Sequence, residues 1–280
     1  MCTVVLLRRP GESWPLLLAA NRDEARSRPW LPPGRHWRDR ADVVAGMDQL
    51  AGGSWLGIND YGVVAAVLNR VGSLGPADGK RSRGELVLEA LDHAAARAAA
   101  SALSELNPDA YRPFNLIVAD AREAYWLRHA GGLPGFGFRT TRGEWREVAP
   151  IYLTDPLCEG AFGHGGANGA IQCHAIPDGL SMITARDLND LGSPRLRHYL
   201  PRFERARVPD PEADGWDDWA ELMAAKESPD GDPGSAMAIV TEGDYGTVCS
   251  SLVAVSASGR MIMRFAAGLP GEVAFETVAL

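Results

Sequence analysis

A cysteine occupies the second position of the chain, directly after the initiator methionine. Cysteine is small enough for that methionine to be removed, and its removal would leave both a thiol and a free α-amine on Cys2. An α-amine has an unperturbed pKa of about 7.7–8.0, so part of it is neutral near pH 7 and can accept a proton. Because a thiol needs a base or a lowered pKa to become a good nucleophile, Cys2 could supply both groups. The alternative is that Cys2 simply opens the first strand.

A dense polar cluster follows a run of leucines and alanines, and its members are Asn21, Arg22, Asp23 and Glu24. The runs Cys2–Leu7 and Pro15–Arg22 are joined by turn residues, which predicts a β-hairpin. This hairpin would place the cluster beside Cys2, with Asn21 and Asp23 on one face and Arg22 and Glu24 on the other. The arginine could hold a thiolate or a substrate carboxylate, and the aspartate could orient the α-amine. The alternative is a salt bridge and a turn cap at the strand end.

Two further asparagines stand at the ends of predicted elements. Asn69 ends a strand that follows Gly53-Ser54-Trp55-Leu56-Gly57, and Asn189 precedes a helix that begins near Pro194. A preorganised asparagine amide is a good donor to the oxyanion of a tetrahedral intermediate, which makes Asn69 a candidate for that role. Both residues also have structural interpretations, Asn69 as a turn residue and Asn189 as a loop or helix-cap residue.

Other reactive side chains give weaker signals. A metal could in principle be bound by Cys158, His164, Cys173 and His174. Their spacing matches no zinc pattern, and two adjacent residues rarely serve one tetrahedral site, so we expect no metal. The sequence contains no Gly-x-Gly-x-x-Gly or phosphate-loop motif and no Gly-x-Ser-x-Gly elbow.

The composition limits the classes of protein to which the chain can belong. It has 280 residues, 46% of them hydrophobic and 23% charged, which suits a sizeable folded core. The net charge of −8 argues against a basic nucleic-acid-binding surface. No apolar run approaches the roughly 20 residues that span a bilayer, and no secretory signal is recognisable, so we expect no integral membrane segment. Four scattered cysteines favour reduced thiols and a cytoplasmic location.

Strand-like segments dominate both ends of the chain, with helices between them. Ser82 and Glu85 form a capping-box pattern, which predicts one helix from Ser82 to a stop at Asn107-Pro108. Pro29–Pro33 is expected to end regular structure, and Glu159–Gly169 to form a loop. Further helices are predicted at Pro194–Arg207 and Trp216–Lys226, and further strands at Val43–Gly46, Ser54–Ile58, Val63–Leu68, Phe114–Ala119, Ala124–Leu127, Ile151–Leu153, Ser181–Thr184, Ala236–Thr241, Thr247–Val255 and Met261–Phe265. This order favours an α+β fold in which helices cover antiparallel sheets.

Several motifs together resemble those of the NRDE family, also called the transport and Golgi organisation protein 2 family. They run from the N-terminus to about residue 265 and comprise Met1-Cys2, Leu18-Ala19-Ala20-Asn21-Arg22-Asp23-Glu24, Ser27-Arg28-Pro29, Gly53-Ser54-Trp55-Leu56-Gly57, Arg83-Gly84-Glu85-Leu86, Phe114-Asn115-Leu116-Ile117 and Tyr245-Gly246-Thr247. The Asn-Arg-Asp-Glu block with a following Ser-Arg-Pro is specific. The resemblance implies a four-layer αββα fold of the N-terminal nucleophile hydrolase-like type, with two stacked antiparallel sheets in one domain over residues 1–280.

The resemblance also suggests kinship with choloylglycine hydrolases and penicillin V acylases. Their mature N-terminal cysteine is the nucleophile and corresponds to Cys2, while their oxyanion asparagine resembles Asn69 and their second active-site asparagine resembles Asn189. Their nearby arginine and aspartate are three positions apart, whereas Arg22 and Asp23 are adjacent. In addition, Val248 and Cys249 follow Tyr-Gly-Thr where the family often has an arginine, and the loop Ala161–His174 looks longer than usual.

Two functions are compatible with these features. The first is a hydrolase or acyltransferase in which Cys2 attacks an amide or thioester carbonyl of a small molecule without a cofactor. The residues expected to serve that chemistry are Cys2, Asn21, Arg22, Asp23, Glu24, Asn69 and Asn189. The second, suggested by a link of family members to haem trafficking, is a non-catalytic protein that binds haem or a lipid in the same cavity. His164, His174 or a thiol could then ligate the haem iron.

Overall fold

The computed structural model describes residues 2–131, 137–139, 145–147 and 170–280. Its strands are β1 (Thr3–Arg8), β2 (Leu16–Ala25), β3 (Trp30–Gly34), β4 (Val43–Asp48), β5 (Leu56–Asn59), β6 (Val64–Asn69), β7 (Phe114–Ala119), β8 (Ala124–His129), β9 (Gly137–Arg139), β10 (Trp145–Glu147), β11 (Ile171–Ala175), β12 (Gly179–Ile183), β13 (Tyr245–Val255), β14 (Met261–Ala266) and β15 (Glu276–Thr277). Its helices are α1 (Gly84–Leu91), α2 (Ala96–Ser104), α3 (Pro194–Arg205) and α4 (Asp217–Met223), with 3₁₀ turns at Pro108–Ala110 and Pro233–Ser235. Among the described helices, none combines the length and the apolar character needed to cross a bilayer. The predicted strand Ile151–Leu153 and loop Glu159–Gly169 lie outside the described residues.

The strands form two antiparallel sheets, apart from β9 and β10, which pair with each other. The first sheet has the order β12-β1-β2-β13-β14-β15, and the second has the order β11-β8-β7-β6-β5-β4-β3. Side chains alternate between the two faces of each strand, so one strand contributes to two cores. In β1, for example, Val4 and Leu6 pack between the sheets, whereas Val5 and Leu7 pack on the outer face.

The buried apolar residues therefore define four layers. An inter-sheet core joins the inner faces and includes Leu18, Ile58 and Trp126. Helices α1 and α2 cover the outer face of the second sheet, and α3 and α4 cover the outer face of the first. The predicted αββα architecture with two stacked antiparallel sheets is confirmed.

The predicted hairpin at the start of the chain is also confirmed. β1 and β2 pair antiparallel with Thr3 opposite Asn21 and Arg8 opposite Leu16. On its other edge β2 pairs with β13, where the register shifts between Thr247 and Cys249. Residue 248 is thus the extra residue of a β-bulge, and Thr247 and Cys249 point to opposite faces of the sheet.

The single helix predicted from Ser82 is wrong, because the segment forms α1 and α2 with a break between them. The Asn59 side-chain amide donates to the carbonyls of Leu91 and His93, both at 2.8 Å, and ends α1. The Asp120 carboxylate accepts from the Ala96 backbone N–H at 2.8 Å and starts α2. The predicted capping box does not form either, since Glu85 pairs with Arg81 instead.

Two strand predictions also need correction. Trp30–Gly34 is a strand despite its prolines, which are tolerated because β3 lies at the sheet edge and pairs irregularly with β4 alone. Ala236–Thr241 is not a strand, although residues 236–239 are buried. Its backbone groups bond elsewhere: the Met237 carbonyl accepts from the Asn21 side chain, and the Ala238 N–H donates to the Ala225 carbonyl.

Candidate active site

Cys2 lies immediately before β1, and its side chain packs against the inter-sheet core. The Cys2 thiol contacts the backbone of β2 twice. Its Sγ accepts a hydrogen bond from the Asp23 N–H at 3.4 Å and donates to the Asp23 carbonyl at 3.6 Å. The hairpin thus holds the thiol beside the polar cluster, as the sequence predicts.

The Cys2 thiol is kept neutral by its surroundings. Burial raises its pKa above the ordinary value of 9.0, and the negative charge of Asp23 raises this pKa further. The positive charge of Arg22 opposes both effects but does not reverse them. At neutral pH the thiol is therefore protonated, and it needs a base before it can act as a nucleophile.

The polar cluster divides between two faces of the first sheet. Asn21 points away from the inter-sheet core, and its amide donates to the carbonyls of Met223 and Met237, both at 2.9 Å. This side chain therefore ties β2 to the end of α4 and to the segment before β13. Glu24 lies on the opposite face, beside Arg28 at 3.9 Å.

Asp23 belongs to a buried network on the outer face of the sheet. Its Oδ1 accepts from the Thr247 hydroxyl at 2.5 Å, and its Oδ2 lies 3.6 Å from an Arg195 guanidinium nitrogen. Arg195, in the first turn of α3, also donates to the Thr3 hydroxyl and to the Gly234 carbonyl. The sequence analysis missed Arg195 and Thr247 as members of the site. The Tyr-Gly-Thr motif was a signal for Thr247, whereas Arg195 has no distinguishing motif.

Arg22 points toward the inter-sheet face, where its guanidinium lies 4.1 Å from the centre of the Trp55 ring. Its Nη2 donates to the Asp48 carboxylate at 3.4 Å, and Arg28 donates to the same carboxylate oxygen at 2.7 Å. The other terminal nitrogen, Nη1, is buried and has no hydrogen-bond partner among the described residues. The Arg22 guanidinium is thus held in place, and its Nη1 can still donate a hydrogen bond.

A cavity of about 470 Å³ opens beside Cys2 and has a volume typical of small-molecule sites. Cys2, Arg22, Asp23, Glu24 and Asn69 all line it. Its other walls come from residues 74–77, the start of α1 and Trp55. The structure therefore brings five of the seven expected site residues around one space.

Asn21 and Asn189 are not among the described residues that line this cavity. Asn189 has a left-handed backbone conformation with φ of 55°. Its Oδ1 accepts from the Met182 N–H at 2.8 Å, and its own N–H donates to the Met182 carbonyl at 2.9 Å. It thereby closes the loop that follows β12. It does not cap α3, because the Ser193 side chain does so by accepting from the Leu196 N–H.

The residues considered for metal binding do not assemble in the described part of the chain. Cys158 and His164 lie outside the described residues, as does most of the loop Ala161–His174. The end of that loop is instead strand β11, on which the adjacent residues Cys173 and His174 point to opposite faces. The His174 ring packs against Trp126 with 5.2 Å between ring centres, and burial lowers its pKa. Within the residues described, no group of three His, Cys, Asp or Glu side chains is arranged to hold a metal.

Comparison with known proteins places the chain in a family. The model of the Transport and Golgi organisation 2 family matches residues 1–148. The mouse Transport and Golgi organization 2 homolog is 36% identical over 110 residues, which are 38% of this chain and 38% of the relative. The human homolog is 35% identical over 113 residues, 39% of this chain and 40% of the relative. The match therefore spans about two fifths of the length of these relatives.

Among solved structures, the chain is similar to a Caenorhabditis elegans N-acylethanolamine-hydrolyzing acid amidase ortholog. The two share 12% sequence identity with a TM-score of 0.50, over 90% of this chain and 92% of that one. At this identity the likeness shows the fold, which is of the N-terminal nucleophile hydrolase-like type. The family-model match extends over more than half of the sequence and includes Cys2 and the Asn-Arg-Asp-Glu block. This chain therefore belongs to the Transport and Golgi organisation 2 family.

Proposed function

We propose that the protein is a hydrolase or acyltransferase that uses Cys2 as an N-terminal nucleophile on an amide or thioester of a small molecule. One observation carries this proposal: the Cys2 thiol faces a cavity of about 470 Å³ that also exposes Asn69 and Arg22. The fold supports it, since the similar Caenorhabditis elegans protein is by its title a hydrolysing amidase.

In the proposed reaction, removal of Met1 leaves the α-amine on Cys2. This amine takes the thiol proton, and Sγ forms a bond to the carbonyl carbon while a carbonyl electron pair moves onto oxygen. The carbon–nitrogen or carbon–sulfur bond then breaks, and the α-ammonium gives its proton to the leaving group. Water, deprotonated by the same amine, cleaves the acyl-cysteine, and an acceptor amine or alcohol replaces water in a transferase.

The neighbouring groups have distinct roles in this proposal. The Asp23 N–H, 3.4 Å from Sγ, stabilises the thiolate as it forms. Asn69 is the candidate oxyanion donor from the opposite part of the cavity, and Arg22 contributes positive charge. Asn21 and Asn189 hold β2 and β12, the two strands that flank β1, and so act as positioning residues.

The test begins with the intact mass of the protein expressed with a native N-terminus. We expect Met1 to be absent, and we expect the N-terminal peptide to gain an acyl group from a panel of acyl p-nitroanilides and acyl thioesters. Cys2→Ala should lower turnover by about a thousandfold or more, as the loss of a nucleophile does in other enzymes. Cys173→Ala, which removes a thiol from the second sheet, is the matched control and should stay active.

Two outcomes would contradict the proposal. Quantitative retention of Met1 would leave the thiol without its base. Equal turnover by the wild type and Cys2→Ala would mean that the thiol is not the nucleophile. If neither protein turns over any substrate while both bind haem or a fatty acid equally well, a carrier function replaces the enzymatic one.

A further inference from the structure

The cavity beside Cys2 carries a charge opposite to that of the whole protein. Six basic and three acidic side chains line it, although the net charge of the chain is −8. Three of the basic residues already pair with carboxylates: Arg22 and Arg28 with Asp48, and Arg81 with Glu85 and Glu89. Of the other three, Lys80 is exposed and donates to the Asp109 carbonyl, whereas Arg83 and Arg112 form a separate group on the wall of the cavity.

Backbone carbonyls hold both of these arginines rigidly. Arg83 precedes α1, and its Nη1 donates to the carbonyls of Ser73 and Pro113 at 2.7 and 3.0 Å. Arg112 precedes β7, and its Nη1 and Nη2 donate to the carbonyls of Leu74, Gly75, Pro76 and Gly72. Both guanidinium groups also contact the carbonyl of Gly75. The loop of residues 72–76 thus fixes two like charges beside each other.

In the part of the chain that the structure describes, no carboxylate forms an ion pair with Arg83 or Arg112. The charge of Glu24 acts on Arg83 only from beyond ion-pair distance. Burial and the repulsion from Arg112 lower the pKa of Arg83 to about 10. Arg83 is nevertheless charged at neutral pH, and bringing an anion between the two guanidinium groups would relieve their repulsion.

We propose that Arg83 and Arg112 bind an anionic group, a carboxylate or a phosphate, of the molecule whose carbonyl reacts at Cys2. The inference rests on the proposed function for its account of the reaction, and it names the class of substrate as a carboxylated or phosphorylated amide or thioester. Among the described residues, the carbonyls use Nη1 and one hydrogen of Nη2 on each arginine, which leaves Nε–H and a second Nη2 hydrogen to match two oxygens of either anion. Cys2 and Arg83 line the same cavity, so one bound molecule can place its anionic group at Arg83 and its carbonyl at Cys2.

The test compares two thiol reagents of similar size, iodoacetate, which is an anion, and iodoacetamide, which is neutral. Each alkylates a thiolate, with formation of a carbon–sulfur bond and loss of iodide, so both report on the same sulfur. The rate of Cys2 alkylation by each reagent is measured on the full chain, from the mass of the N-terminal peptide. The quantity of interest is the ratio of the iodoacetate rate to the iodoacetamide rate at Cys2.

We expect Arg83→Met and Arg112→Met each to lower this ratio by about threefold or more, because each removes one positive charge from the cavity. Arg83→Lys keeps the charge and should retain most of the ratio. Arg207→Met is the matched control, since Arg207 is exposed, pairs with Asp218 and is not among the described residues that line the cavity. It should leave the ratio unchanged. Thermal unfolding of each variant verifies that it is folded.

A second arm distinguishes the two anions. Inorganic phosphate and butyrate are added separately at constant ionic strength, and the anion that matches the site should slow labelling by iodoacetate more than labelling by iodoacetamide. Three results would overturn the proposal. The ratio could be unchanged in both methionine variants, or it could fall as far in Arg83→Lys as in Arg83→Met. Both reagents could also fail to alkylate Cys2. Labelling requires neither Met1 removal nor turnover, so a catalytically inactive protein with the expected ratios would refute the enzymatic function alone.

Discussion

Cys249 is a buried thiol near the half-buried candidate nucleophile. It pairs with Arg22 in the ladder between β2 and β13, and it packs with Val248 and Phe265. Burial raises the pKa of the Cys249 thiol well above its ordinary value of 9.0, and Arg22 opposes this shift without cancelling it. The folded protein therefore binds this proton more tightly than the unfolded chain does.

This difference predicts a loss of stability in alkaline solution. A thiol whose pKa is raised on folding contributes fully below pH 9, and its contribution falls as the pH rises toward the folded-state pKa. Between the unfolded-state and folded-state pKa values, one such thiol lowers the free energy of unfolding by about 1.4 kcal/mol per pH unit. In Cys249→Ala, the free energy of unfolding measured by urea denaturation should decline less steeply between pH 9 and pH 10 than in the wild type. Identical slopes would show that Cys249 does not titrate differently in the two states.

Single residues also mark the limit of what the sequence predicts about the site. The position of Asn21, Arg22, Asp23 and Glu24 beside Cys2 follows from a hairpin and from strand alternation, both of which are local properties. Arg195 could not be found in this way, because its contact with Asp23 joins residues far apart in the chain. In the sequence, Arg195 is one of several basic residues on an amphipathic helix, and no motif distinguishes it from the others.

At the scale of elements, the start of α1 packs unusually closely against the loop segment before β5. A Cβ added to Gly53 would lie 2.4 Å from the backbone carbon of Gly84, which is much closer than real contacts allow. The absence of a side chain at Gly53 therefore sets the position of α1, and with it the position of Arg83 on the cavity wall.

Gly53→Ala should accordingly destabilise the protein by about 1–3 kcal/mol, the usual cost of overpacking. It should also alter alkylation of Cys2, because α1 must move. Gly243→Ala is the control, since an added Cβ there meets no atom within 4 Å and the backbone needs no positive φ. Urea denaturation of both variants gives the comparison, and a loss below 0.5 kcal/mol, roughly the range of a neutral surface substitution, would contradict the close approach at Gly53.

Elements with a strong local signal were predicted, and those shaped by distant partners were not. The alanine-rich stretch after Leu91 favours a continuous helix, but Asn59 and Asp120 bind its backbone from other parts of the fold and divide it. In the same way, the prolines of β3 conceal a strand whose edge position no local pattern reveals. The bulge at Val248 depends on pairing with β2 and has no sequence signature either.

At the scale of the whole molecule, Asn115 joins the two sheets. On β7, its Oδ1 accepts from Arg70 at 2.6 Å and from the Trp126 indole at 3.0 Å. Its Nδ2 donates to the carbonyls of Thr184 and Arg186, which follow β12 in the first sheet, at 3.0 and 2.7 Å. One fully buried amide thus satisfies groups from both sheets.

Asn115→Leu should destabilise the protein by about 3 kcal/mol or more, because several buried polar groups would lose their partner while the side-chain volume is kept. Asn107→Ala is the comparison variant, whose loss of stability shows the effect of removing an exposed asparagine side chain. It removes one cap from the exposed Pro108–Ala110 turn and should cost about 1 kcal/mol. Equal losses in the two variants, measured by urea denaturation, would mean that the amide does not join the sheets energetically.

The pairing of β2 with β13 also sets an order of events during synthesis. The Thr247 hydroxyl contacts Asp23 across 224 positions of sequence, so the buried network around Asp23 cannot assemble until most of the chain has left the ribosome. Throughout that interval β2 lacks its partner β13, and the N-terminus remains open to the processing enzymes that remove methionine. Removal of Met1 would therefore precede closure of the fold around Cys2, and the network that holds Asp23 would be complete only when translation is nearly finished.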